Sequence, residues 1–120
     1  MTDSPAEPTV FERIVAREIP ARIVAETDRV IAFHDIAPQA PVHVVVTTKT
    51  ADYRDVVGLA EGDPELLAEL VEVARGIAAE LADGDFRLVF NTGASAGQTV
   101  FHVHAHVLAG GLEEGTLAGA

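Results

Sequence analysis

The sequence predicts an α+β fold: a five-stranded, mostly antiparallel sheet with one short and one long helix. Three observations carry that expectation. Five short runs rich in β-branched or aromatic residues are each bounded by turn-forming residues. One longer segment, Pro64 to about Leu81, repeats its apolar residues at helical spacing. No linker or internal repeat divides the 120 residues, which leave room for one compact domain. The expected organisation is a loose lead-in over 1–8, a single domain over 9–112 and a tail over 113–120.

Pro5 and Pro8 keep the opening irregular. Thr9 has Glu12 three residues later, the spacing of a capping box, and Val10, Phe11, Ile14 and Val15 follow at helical spacing. A short helix from about 10 to 18 is predicted, ending before Pro20. Arg22–Ala25 and Val30–Phe33 flank the turn-prone Glu26-Thr27-Asp28-Arg29 and read as a β-hairpin. Pro38 and Pro41 make Ile36–Pro41 a loop, and the β-branched His43–Thr48 is a third, well-buried strand.

Asp63 offers an N-cap to the long helix, and Pro64 suits its first position. Leu66, Leu67, Leu70, Val71, Ala74, Ile77, Ala78 and Leu81 form one apolar stripe, with Glu65, Glu69, Glu72 and Glu80 mostly off it. Gly84 stops this helix. Phe86–Phe90 is the fourth strand, Asn91–Thr99 a loop, and Val100–Leu108 the final strand.

Apolar residues make up 48% of the chain and charged residues 22%, and the mean hydropathy of +0.24 supports a real core rather than disorder. No apolar run approaches the roughly 18 to 20 residues a spanning helix needs. The opening lacks a basic end and an apolar stretch, so no secretory leader and no membrane partner are expected, and the chain is placed in the cytoplasm. Cysteine is absent, which removes disulfides, thiolate metal sites and cysteine nucleophiles together. Eight basic residues face nineteen acidic ones, a formal charge of −11, which argues against gripping a nucleic-acid backbone by bulk attraction.

Against that acidity stands a histidine focus: three of the five histidines fall within Phe101-His102-Val103-His104-Ala105-His106. Strand alternation puts His102, His104 and His106 on one face and Phe101, Val103, Ala105 and Val107 on the other. The first would present a row of imidazoles and the second would pack inward. A solvated face is one alternative, but histidine is uncommon and fills three consecutive polar slots. A metal site is another. The outer two Cα atoms lie about 13 Å apart at ~3.3 Å per residue, too far for all three rings to meet one ion without severe tilting. Two of them with His43 remain a possible set. A row lining an extended substrate fits better.

Upstream, Asn91 to Thr99 is rich in small residues with two glycines, as in loops whose N–H groups turn toward an anion. Neutral imidazole is a competent nucleophile near pH 7 and a competent leaving group afterwards. His104 has a neighbour on either side to bind phosphoryl oxygens or move a proton, and a strand carbonyl holding its other ring N–H would set the tautomer. Asp35 stands after a predicted strand, where an acid can take ribose hydroxyls or simply form a turn. His43 opens a buried strand, where a lone histidine is more often a satisfied core residue.

His102-Val103-His104-Ala105-His106-Val107-Leu108 resembles the histidine triad, His-φ-His-φ-His-φ-φ, of the HIT superfamily. Glu18-Ile19-Pro20-Ala21, Ala32-Phe33-His34-Asp35-Ile36, Pro38-Gln39-Ala40-Pro41 and Gly97-Gln98-Thr99-Val100-Phe101-His102 resemble its Hint-like branch, the purine nucleoside phosphoramidases, from about Val10 to Gly110. The resemblance implies His104 as the nucleophile that forms a nucleotidyl-histidine, with His102, His106 and His43 completing the catalytic set. It implies Asn91, Gly97, Gln98 and Thr99 at the phosphate and Asp35 at the ribose. Phe11, Ile14, Ile19, Phe33, His34, Ile36 and Val45 would form the base pocket. The partners implied are a purine nucleotide and a second copy of the chain, two five-stranded sheets joining into one.

Some relatives hold a structural zinc through two cysteines, a later histidine and the first triad histidine. The first three positions fall here at Thr9, Glu12 and Ala51, so neither a metal nor any other cofactor is expected. The family's Trp-Pro-Pro-Gly tail, which shapes the leaving-group side, is replaced by Glu113-Glu114-Gly115-Thr116-Leu117-Ala118-Gly119-Ala120. The function implied is cleavage of the P–N bond of purine nucleoside 5′-phosphoramidates. The alternatives are hydrolysis of dinucleoside polyphosphates or adenylyl conjugates, and non-catalytic nucleotide binding.

Overall fold

The computed structural model describes residues 7–115; most of the expected lead-in (1–6) and of the tail (116–120) lies outside the described residues. Helix α1 (Val10–Val15) begins at the capping box foreseen, with Glu12 N–H donating to Thr9 Oγ1 and Thr9 N–H to Glu12 Oε1. It stops short of the predicted end near residue 18. Arg17 turns left-handed at φ 62°, and Glu18 N–H closes back on Arg13 O at 2.9 Å.

Strands β1 (Ile23–Glu26), β2 (Val30–His34) and β3 (Val42–Thr48) follow as predicted, within a residue or so at the ends. Helix α2 (Val56–Gly62) is an addition: the expected single long helix is preceded by a short one capped by Asp55. Helix α3 (Pro64–Leu81) has the predicted bounds, with Leu66 N–H donating to the Asp63 cap. Strand β4 (Arg87–Val89) is shorter than the expected Phe86–Phe90, and a 3-10 turn (Ala94–Ala96) interrupts the loop.

Strand β5 (His104–Ala109) begins four residues later than predicted. Before it, Val103 N–H leaves the ladder to bond Tyr53 O at 2.9 Å, and Thr47 Oγ1 donates to Val103 O at 2.7 Å. Residues 100–103 are therefore held by other elements. Phe101 does not join the inward face: it is 41% exposed beneath the Arg54 guanidinium, 4.6 Å from its ring centre.

The five strands pair antiparallel in the order β1-β2-β3-β5-β4, with β3 at the centre. Alternation divides the sheet into two faces. Val30, Ala32, Val44, Val46, Ala105 and Val107 pack under Leu66, Leu70, Ala74 and Ile77 of α3. The predicted stripe is narrower than its sequence, since Val71 and Leu81 stay partly exposed. On the opposite face, Ile31, Phe33 and Val45 meet Phe11 and Ile14 of the six-residue α1, with Val15, Ile19, Ala21 and Val100 packed at the margin. A helix that short cannot cover the sheet, and the uncovered part is where His104 and His106 emerge.

Candidate active site

On the α1 side of the sheet a cleft of about 1110 Å³ opens, walled by Phe11, Ile14, Ile19, Phe33 and Val45. His34, Asp35, Ile36, His43, Asn91, Gly97, Thr99, His104 and His106 also line it. Of the residues singled out in the sequence, His102 and Gln98 do not. Among the described residues, Arg22 is the one Lys or Arg and Asp35 the one acid along its wall.

The partners of each ring nitrogen assign the histidine tautomers. His104 Nδ1 lies 2.9 Å from the backbone carbonyl of His102. A carbonyl only accepts, so Nδ1 carries the proton and Nε2 keeps its lone pair. His43 and His106 have the opposite order. Gln39 N–H donates to His43 Nδ1 at 2.9 Å, which leaves the His43 proton on Nε2. That N–H donates to His106 Nδ1 at 2.8 Å, so the proton of neutral His106 sits on Nε2. Neither His104 Nε2 nor His106 Nε2 has a partner among the described residues, and neither is sealed off from solvent. Two adjacent rings, 5.3 Å between centres, thus offer a lone pair and an N–H side by side.

Burial keeps these rings neutral. Desolvation pushes His104 below the ordinary histidine value, against the His102 carbonyl, which pulls it up. His106 is pushed down to about 4, first by desolvation and then by the charges His104 and His43 would carry. His43 is lowered by desolvation, opposed by the carboxylate of Asp35. Phe11 sets the pitch of the nucleophile candidate: its ring meets His104 edge-on at 4.8 Å between centres.

His102 is the main correction. The predicted row of three imidazoles is a pair, because the His102 ring is fully buried between Thr9 and Thr48. Alternation assigned its side but not its depth. Gln98 is also turned inward: its amide accepts from Gly93 N–H and donates to Arg54 O and Val100 O, bracing the loop instead of facing the cleft. The Gly97 N–H is committed to Ala94 O at 3.0 Å, and what Gly97 contributes is its left-handed turn at φ 94°. Asn91, half-buried, has no side-chain partner among the described residues. Asp35 Oδ1 accepts from Ala37 N–H, the turn alternative, while Oδ2 stands 3.5 Å from His43 Nε2. Ile36 is fully exposed at the rim.

Asp35, His43 and His106 bring three potential ligand atoms within 4.8 Å of one another. The polarity of His43 is wrong for a resident metal. A metal-bound imidazole donates its other N–H outward, whereas His43 Nδ1 receives the Gln39 N–H and its proton occupies the nitrogen facing the cluster. Thr9, Thr48 and the backbone of Gln39 are the supporting groups that the sequence reading left without a role at the site. Thr9 carried a signal only as a cap.

A family model described as the HIT domain matches residues 16–111. An uncharacterized HIT-like protein of Synechocystis is 50% identical over 109 residues, covering 88% of this chain and 92% of that protein. A protein of Arabidopsis thaliana named an adenylylsulfatase is 39% identical over 108 residues, covering 86% of this chain and 71% of that one. Among solved structures, a HIT family hydrolase from Clostridium thermocellum superposes with a TM-score of 0.81 at 41% identity, covering 88% of this chain and 92% of its own.

Proposed function

The chain belongs to the HIT domain family, and on that premise we propose that it cleaves the P–N bond of purine nucleoside 5′-phosphoramidates. The observation that carries this reading is the opposite polarity of two neighbouring neutral rings, a lone pair on His104 Nε2 beside an N–H on His106 Nε2. The first would attack the α-phosphorus. The second would bind a phosphoryl oxygen, and the departing amine takes a proton from solvent as the P–N bond breaks. Water then attacks the nucleotidyl-histidine, releasing the monophosphate and restoring His104.

The apolar walls at Phe11, Ile14, Ile19, Phe33 and Val45 suit a purine ring, with His34 and Ile36 at its edge. Asp35 is the ribose ligand in this reading, and the Asn91 amide and Thr99 hydroxyl, unpartnered among the described residues, complete the phosphate end. His102 acts from behind, through its carbonyl on His104. No bulk positive charge is required, because neutral donors suffice for one α-phosphate. A homodimer belongs to the same proposal: among the described residues β4 is an edge of the sheet, where a second copy would pair.

Adenosine 5′-phosphoramidate tests the proposal. Turnover and an acid-trapped nucleotidyl-protein are expected, and both should vanish in His104→Ala. Activity undiminished by that substitution sinks the nucleophile assignment. If neither protein turns over while both bind AMP, the chain is a nucleotide-binding module. The name of the Arabidopsis relative favours a second reading, hydrolysis of adenylyl conjugates through the same intermediate. Steady-state rates on both substrate types separate the two.

A further inference from the structure

His102 is the triad ring that the cleft does not reach, yet its surroundings are the most fully specified in the site. Its Nε2 lies 2.6 Å from the Thr48 carbonyl, which can only accept, so that nitrogen carries the proton. The lone pair on Nδ1 then faces Thr9 Oγ1 at 2.8 Å, and the single hydroxyl proton must point at the ring. The same oxygen accepts from Glu12 N–H at 3.1 Å as the cap of α1. One hydroxyl is thus a donor to the ring and an acceptor from the helix. His102 is fully buried, so with Thr9 in place no water reaches its ring.

We propose that Thr9 is a positioning residue: its hydroxyl clamps the His102 ring and so fixes the carbonyl that sets the His104 tautomer. This rests on the reading of His104 as nucleophile and adds to it a residue from the opposite end of the chain. Helix α1 then has two grips on the chemistry, Thr9 on His102 and Phe11 edge-on against both His102 and His104. The titratable groups facing His102 are Glu12 from α1 and His104 from β5. From β3 and the turn after it come only the Thr48 and Thr50 backbone and the Thr48 hydroxyl. Desolvation holds the ring neutral against the Glu12 charge, and the Thr9 hydroxyl proton satisfies the nitrogen that stays unprotonated.

Two substitutions separate positioning from capping. Thr9→Ser keeps both functions of the hydroxyl. Thr9→Asp keeps the cap, since aspartate caps as well as threonine, but a carboxylate has no proton for Nδ1. Two acceptors would face each other, and the ring must become doubly protonated. That charge depresses His104 further, as a protonated His102 does by its position.

The experiment is ring ¹⁵N NMR of the full chain from about pH 5 to 8, with kcat and KM on adenosine 5′-phosphoramidate. Wild type and Thr9→Ser should show His102 as one neutral Nε2–H form near neutral pH, with kcat values within about twofold of each other. Thr9→Asp should show an imidazolium and lose about tenfold in kcat, with KM changed less than about threefold. Its melting temperature should stay within about 3 °C of wild type. An unchanged ring spectrum or an unchanged kcat in Thr9→Asp overturns the proposal. If that variant does not fold, the wild-type spectrum decides, because an Nδ1–H form or an imidazolium at neutral pH also overturns it. A wild type that leaves the phosphoramidate intact overturns the functional reading alone, and the clamp then stands or falls on the spectra.

Discussion

Replacing His43 by leucine tests the proton order of the site. In the native arrangement Gln39 N–H fixes the His43 proton on Nε2, and that proton holds His106 Nδ1 at 2.8 Å. Leucine fills much of the ring volume but donates nothing. His106 is then free to move its proton to Nδ1, and its Nε2 would confront phosphoryl oxygens with a lone pair. The lost hydrogen bond is worth about 0.5–1.5 kcal/mol, and expressed in the transition state it lowers kcat roughly twofold to tenfold. Stability should change little through Gln39, because that residue is exposed and water takes its freed N–H. His106, lowered in part by the charge His43 would carry, should also titrate higher in the variant. Single-turnover rates with the ring ¹⁵N spectrum of His106 make the measurement, and His43→Gln, which keeps an N–H donor, should recover part of the rate. A His43→Leu enzyme with full kcat and the native His106 tautomer would refute the relay.

Acid should destabilise the fold before its carboxylates titrate. His43, His102 and His104 are all held below the ordinary histidine value of 6.5 by burial, and His106 is pushed to about 4. The unfolded chain takes up these protons first, so stability is fully present above about pH 6.5 and falls as pH drops toward 4. The urea midpoint should decline between pH 7.5 and 5, and a constant midpoint contradicts the burial of these rings. Glu26, lowered by Lys49 and Arg17, and Glu72, lowered by Arg75, act only below their ordinary 4.5. Gly97→Ala meets no atom within 4 Å but must adopt φ 94°, so a stability loss of about 1–2 kcal/mol is expected. Urea unfolding with no loss would show that the loop relaxes.

Features set within a few residues were legible in the sequence. The Thr9–Glu12 box and the Asp63-Pro64 start marked two helices at the correct residue, because a cap is a bond between neighbours. Helix α2 escaped because Val56–Gly62 contains two glycines and two valines and repeats no apolar stripe. The Asp55 cap, with its bond from Gly58 N–H, was the signal available. Alternation placed His104 and His106 with the cleft and Ala105 and Val107 with the core. It failed at Phe101 and gave the side but not the depth of His102, where the chain has already left the ladder to meet Tyr53, Thr48 and Thr9.

By itself, then, the sequence determined the fold class, the membership of the triad and the face of the sheet that bears it. Those depend on spacings of two to four residues along the chain. The tertiary structure decided which nitrogen of each ring is protonated, that His102 is a buried support, and that Gln98 braces the loop. A neutral imidazole can place its proton on either nitrogen at little cost. The choice falls to whatever donor or acceptor the fold brings up, here Gln39 and Thr48 and a threonine 93 residues away from His102.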